Sequence, residues 1–351
     1  MPGRTRPSAE PSLAAPDRAA AFSRRPETVT TPLAPTAASV DLAPLAALVE
    51  EIAALKRVRA AHLPDRKSWA AWRFESAWER LIKGESPVKV AVGEAARAVA
   101  AARLGAIHPT QLVEAELTRD QIVGIFQAAI REQSGRIAAG LLPTLLTSAA
   151  AAVDADLVSR ADEPIDVPRP IAALDRQPRA GATCPGRGRI LLDPPESHAE
   201  HCYVVAVCGV LASARTGGDP AEVFLFGLGH HLHNATLADS GFAGEVLLGE
   251  HLGQVLDRLF ANAYETLPSS LCEAIERLRT ECAAAETSTA KAFHIADVLD
   301  RVAEMRHFQT AATFEARTAL EDLELVHEGP TQAFGQQVLR DADWWEASVS
   351  R

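Results

Sequence analysis

Histidines and carboxylates gather in the second half of the chain at places where helices begin and end. Glu200-His201 opens the apolar segment 202–212, and His230-His231-Leu232-His233-Asn234 closes the one that follows. His294, Asp297, Asp300 and Arg301 share a third segment, introduced by Ser288 and Thr289. Imidazole and carboxylate are the ligands that hard and borderline divalent cations prefer. Two histidines at a helix end, a third on a preceding helix and an Asp on a later one can converge in a helical core around such an ion, with Mn, Co, Fe, Mg and Zn all compatible. A single histidine on an apolar helix face is ordinarily structural. The ordered set carries the argument.

These residues need helices to position them, and the local signals are strong. Gly217-Gly218 ends the first apolar segment, and Asp219-Pro220 restarts the chain with an N-cap acid and a proline at the first helical position. Upstream, Leu45, Leu48, Ile52 and Leu55 recur at the spacing of one helix face. Trp69, Trp72, Phe74, Trp78 and Leu81 make a second amphipathic stretch ending at Gly84. Without a basic groove beside them, the tryptophans read as core. A third helix is expected over 93–104. A fourth starts at Thr118, whose spacing to Gln121 fits a capping box. The uncharged run 137–153 reads as a buried helix; it is too short for a membrane span and contains Pro143.

Between about 160 and 195, seven prolines exclude a long helix. Gly186-Arg187-Gly188-Arg189 lacks the Gly-Lys-Ser/Thr ending and the preceding strand of a phosphate loop. The sequence thus divides into a Pro/Ala-rich arm (1–40) expected to be disordered, an N-terminal helical region (41–155), a Pro-rich linker (156–195), a second helical domain (196–330) and a C-terminal tail (331–351).

Composition supports an all-α fold: hydrophobic residues reach 47% while aromatics stay at 5%, and alanine is abundant. A net charge of −11 offers no attraction to a nucleic-acid polymer or an anionic membrane. Five cysteines without a C-x-x-C pair argue against a disulfide framework or a cysteine zinc site, and for reduced thiols in the cytoplasm.

The segment from about Arg187 to about Phe308 resembles the HD-domain metal-dependent phosphohydrolases. Ser197-His198-Ala199-Glu200-His201 is similar to the S-x-x-E-H opening of HD-domain nucleotidases. Residues 225–239 look like the helix that ends in the family's His-Asp doublet, and Ile295-Ala296-Asp297 looks like its final metal-binding Asp. The likeness extends best to the 5′-deoxynucleotidase branch. It implies an HD-type helical domain preceded by an N-terminal helical bundle, with His201, His230 and Asp297 on a divalent metal ion. It further implies an arginine, Arg187 or Arg189, on the phosphate, and Asp239 orienting substrate or water.

Two departures stand out. His231 replaces the Asp of the doublet, where it can still ligate one ion but is poor at bridging two. Asn234 replaces a Glu thought to activate water, and an amide cannot serve as a general base. The resemblance implies hydrolysis of a small phosphorylated substrate, with a nucleoside monophosphate favoured. The alternatives are a catalytically degenerate HD-fold binding or regulatory module and, less favoured, an HD-type iron oxygenase using His251. A homo-oligomer is compatible with all three readings.

Overall fold

The longest unbroken apolar helix organises the molecule. The computed structural model describes residues 41–64, 67–158, 165–309, 318–322 and 324–344, so the expected arm 1–40 lies outside the described residues. Fourteen α-helices account for the regular structure, and no strand occurs among the described residues. The first six are α1 Ala43–Ala53, α2 Trp69–Ile82, α3 Pro87–Leu104, α4 Pro109–Glu114, α5 Arg119–Glu132 and α6 Leu142–Val158. There follow α7 Arg169–Arg176, α8 His198–Thr216, α9 Pro220–Gly229 and α10 Gly241–Leu248. The last four are α11 Leu252–Tyr264, α12 Ser269–Glu281, α13 Ser288–Gln309 and α14 Gln332–Asp341.

The helix starts follow from capping chemistry. The Thr118 hydroxyl accepts from the Gln121 amide, and the Gln121 side chain accepts from the Thr118 backbone, as the sequence spacing predicts. Ser197 and Glu200 make the same reciprocal pair at the start of α8. Asp219 caps α9 by accepting from the amides of Ala221 and Glu222.

Every residue of α8 from His198 to Ser213 is buried. A helix apolar on all sides must be surrounded, and α8 packs against α9, α13, α1, α2, α3 and α7. The N-terminal region and the later helices therefore share one core instead of forming two domains, and the described residues make a single compact unit. Trp69, Trp72 and Trp78 lie in this core, as expected. The uncharged run behaves differently from expectation. Its helix begins only at Leu142, just before Pro143, and buries a single stripe that includes Leu145, Ala149 and Val153.

Two other sequence divisions change. The proline-rich linker contains α7 and a bent loop tied by bridges Pro178–Ser197 and Ala182–Ile190, and this loop runs along the base of α8. The expected C-terminal tail contains α14, which packs on α13 and buries Val338 and Leu339. The amide of Leu42 donates to the carbonyl of Asp341 at 3.1 Å, joining the start of α1 to the end of α14. No described helix is long and apolar enough to cross a membrane.

A buried polar network braces the N-terminal helices against α8. Glu94 on α3 receives Arg73 Nε at 2.9 Å, Arg80 Nη1 at 2.8 Å and the Tyr203 hydroxyl at 3.1 Å. Arg97 bridges Glu94 to Asp156 on α6. Burial alone would raise the Glu94 carboxyl, but Arg73, Arg97 and Arg80 outweigh it and hold the group at about 2.

Candidate metal centre

Two helix ends and the middle of a third helix meet at one point: the first turn of α8 brings His198 and His201, the end of α9 brings His230 and His231, and the middle of α13 brings Asp297 and Asp300. The approach is close because Gly227 on α9 faces Ala206 on α8; a Cβ at Gly227 would fall 2.5 Å from the Ala206 Cα.

The hydrogen bonds fix which nitrogen of each ring carries its proton. His201 Nδ1 lies 2.7 Å from Asp300 Oδ2, and an ionised carboxylate only accepts, so the proton is on Nδ1. His230 Nδ1 lies 2.8 Å from the Gly227 carbonyl, with the same consequence. His231 Nδ1 lies 2.9 Å from Asn234 Oδ1, and the Asn234 amide is oriented by donating to the Leu237 carbonyl at 3.1 Å. Each of the three rings thus directs an Nε2 lone pair away from its anchor.

Two of these lone pairs face each other. His201 Nε2 and His230 Nε2 are 3.3 Å apart, and Asp297 Oδ1 is 3.4 Å from the same His201 Nε2. A tetrahedral ion with bonds of about 2.0–2.1 Å has ligand–ligand edges of about 3.3–3.4 Å, so the His201–His230 and His201–Asp297 separations each match one such edge. The ligand atoms of His201, His230 and His231 all lie within 4.8 Å of one another. Burial, with His201 close by, lowers His230 to about 3, and burial also pulls His231 well down, so both rings are neutral near pH 7 and able to ligate. Burial alone would raise Asp297, but the adjacent His201 and Arg301 hold it well below the ordinary carboxylate value.

His231 has a second partner. Its Nε2 receives a hydrogen bond from Arg179 Nη1 at 2.6 Å, and Arg179 also lies 3.6 Å from Glu196. His231 thus also orients an arginine, and Asp297 stands 3.4 Å from His201.

A neighbouring group, Glu196 with His201 and Asp300, also has ligand-type atoms within 4.8 Å of one another. Lys56 fills it: its ammonium lies 2.5 Å from Glu196 and 2.8 Å from Asp300, so that group already holds a cation.

A cavity of about 220 Å³ opens beside the histidines, with Arg179, His230, His231, Asp239, Asp297 and Arg301 in its wall. Arg187 and Arg189 are not there. Both are exposed, and Arg189 donates to the Ser240 carbonyl at 3.0 Å. Arg179 occupies the position for which the sequence suggested them, on the loop before α8. The only sequence signal for it was its place upstream of His201. Asp239 lines the cavity, but both its oxygens are engaged, one by the Ala180 amide and one by the Gly241 amide, each at 2.9 Å. Burial alone would raise its carboxyl; Arg179 and these amides hold it below the ordinary value, which makes it a weak base. Asn234 has both amide ends occupied and serves to position His231. His251 is 73% exposed and does not line the cavity. His233 is turned toward Phe260, with ring centroids 5.0 Å apart.

No protein-family model, curated protein or solved structure matches the chain.

Proposed function

We propose that this chain is a metal-dependent phosphohydrolase acting on a small phosphate ester, with a nucleoside monophosphate as the favoured substrate class. The single observation that carries the reading is the pair of facing Nε2 lone pairs of His201 and His230, 3.3 Å apart, with Asp297 beside them and each ring's proton fixed on the far side. The HD-family likeness of the same residues supports it, and so does the arginine-lined cavity they border.

His201 and His230, with Asp297 beside them, would hold one divalent ion. When bound, such an ion supplies Lewis acidity toward a phosphoryl oxygen and makes a coordinated water more acidic. Arg179, set by His231 and Glu196, presents its guanidinium to the phosphate as a charge-assisted fork. Arg301 stands in the same wall and balances Asp297 at 3.6 Å. The cavity is at the small end for ligand sites, so it encloses the phosphate group and leaves the rest of the ester toward its mouth. Asp239, held below the ordinary carboxylate value, is a weak base, and the Asn234 amide cannot take a proton at all. The bound ion would therefore have to supply most of the activation of the water.

The test is metal analysis of protein prepared without chelator, followed by phosphate release from a panel of nucleoside monophosphates with Mn²⁺, Co²⁺, Fe²⁺ or Mg²⁺. One bound ion and turnover that disappears in His201→Ala and His230→Ala are expected. Failure to take up any ion stoichiometrically would end the metal reading. A second reading, a binding module with the HD fold, is favoured by the engaged Asp239 and Asn234. A metal-loaded wild type inert on every substrate would select it.

A further inference from the structure

We propose that Lys56, from the N-terminal helical region, is a positioning residue of the metal centre. It acts through Asp300 to hold His201 with its Nε2 toward the ion. The inference rests on the metal reading above and assigns the N-terminal region a part in that site.

Lys56 lies on a 3-10 turn, Ala54–Arg57, that continues α1 into the core. It is 2% exposed, and burying an ammonium costs several kcal/mol unless its hydrogens are satisfied. Its ammonium sits among three carboxylates: it donates to Glu196 at 2.5 Å and to Asp300 at 2.8 Å, and lies 3.6 Å from Glu304. Arg57 takes the other side of Glu304, and Arg179 approaches Glu196. Three acids thus face three bases, and no further cation is needed there. Removing the lysine would leave three buried carboxylates facing two cations, so its place has a local reason.

Asp300 supplies it. Its Oδ2 accepts from both Lys56 and His201 Nδ1, so one oxygen atom joins the N-terminal turn to the candidate ligand. Asp300 is wholly buried, and Lys56 is the cation that keeps it in place. A carboxylate so held fixes the ring's tautomer and orientation and makes its far nitrogen a better ligand. Lys56 also fills the one position where Glu196, His201 and Asp300 would otherwise gather a second ion, which sets the stoichiometry at one.

The experiment is Co²⁺ titration of the full chain, read by affinity and by the visible absorption of the bound ion. It is run on wild type, Lys56→Met, Asp300→Asn, the double variant, and Lys67→Met as a control whose partners, Glu75 and Asp175, lie outside the site. Lys56→Met and Asp300→Asn should each weaken Co²⁺ binding by about 10–100-fold and shift the absorption band in the same way. The double variant should be no worse than either single one, and Lys67→Met should match wild type. Unchanged affinity and spectrum in Lys56→Met, or losses that add in the double variant, would overturn the proposal. If Lys56→Met does not fold, histidine nitrogen NMR of zinc-loaded wild type decides: His201 must carry its proton on Nδ1, and a proton on Nε2 overturns the inference. A wild type that binds no Co²⁺ removes the metal reading and this inference with it, whereas a normal wild type with an unaffected Lys56→Met removes this inference alone.

Discussion

Adding one methyl group at Gly227 tests the whole geometry of the centre. A Cβ there would stand 2.5 Å from the Ala206 Cα and 2.8 Å from its nitrogen, both backbone atoms that cannot swing aside. Ordinary carbon contacts need about 3.5–4.0 Å, so α8 and α9 must part by about 1 Å. His230 lies on the turn that follows Gly227 and is anchored to its carbonyl, so the 3.3 Å between His230 Nε2 and His201 Nε2 must widen by a similar amount. That exceeds the edge of about 3.4 Å that one tetrahedral ion spans. Overpacking should cost about 1–3 kcal/mol of stability. A misplacement of about 1 Å should cost turnover on the order of 10²-fold. The control is Gly124→Ala on α5, where a Cβ meets nothing within 4 Å and which should gain about 0.5–1 kcal/mol. Thermal melts and a metal titration of both variants are the assay. A Gly227→Ala protein that melts with wild type and binds metal equally well would refute the close approach of α8 and α9 as the device that sets the site.

Further outcomes follow from other contacts. Glu94 is held at about 2 against an ordinary 4.5, so its stabilisation is complete above pH 4.5 and is lost as the pH falls toward 2. Glu94→Gln should cost about 3–5 kcal/mol at neutral pH and flatten the acid limb of a stability–pH curve; parallel curves would exclude this assignment. Asp239→Asn leaves one of two backbone amides facing an NH₂ group, so stability should drop by about 1–3 kcal/mol with metal content unchanged. An unaltered melting temperature with turnover down ~10²–10⁴-fold would instead make Asp239 the general base. Arg179→Lys should raise KM for the phosphate ester while leaving metal stoichiometry intact, because an ammonium cannot make a planar fork; an unchanged KM would remove Arg179 from phosphate binding.

What the sequence disclosed was what adjacent residues decide. The Thr118–Gln121 box and the Asp219-Pro220 start involve partners a turn apart, so spacing alone reveals them. His201, His230 and Asp297 were legible as an ordered set on separate helices. Lys56 was not, because it pairs with residues 140 and 244 positions away and its own helix gives no sign of them. Asp300 lies one turn beyond Asp297 and reads as an ordinary helix charge until His201 is placed against it. Arg179 follows a proline in no motif, whereas Gly-Arg-Gly-Arg drew attention to Arg187 and Arg189, which are exposed. The last helix was missed because Val338, Leu339 and Gly335 supply too little periodicity to stand out over so short a stretch.

The bond from the Leu42 amide to the Asp341 carbonyl brings residues 299 positions apart side by side. A folded unit whose two ends meet can be rejoined by a short linker and reopened elsewhere without disturbing its interior. The turn at Gly84, where φ is positive and a side chain would meet nothing, is a suitable place to cut. A chain reordered there would begin at α3 and carry α1, α2 and Lys56 at its far end, yet every contact around His201 would survive. The order of helices along the polypeptide is thus separable from their order around the ion, and the same body could be inserted into a loop of a larger host.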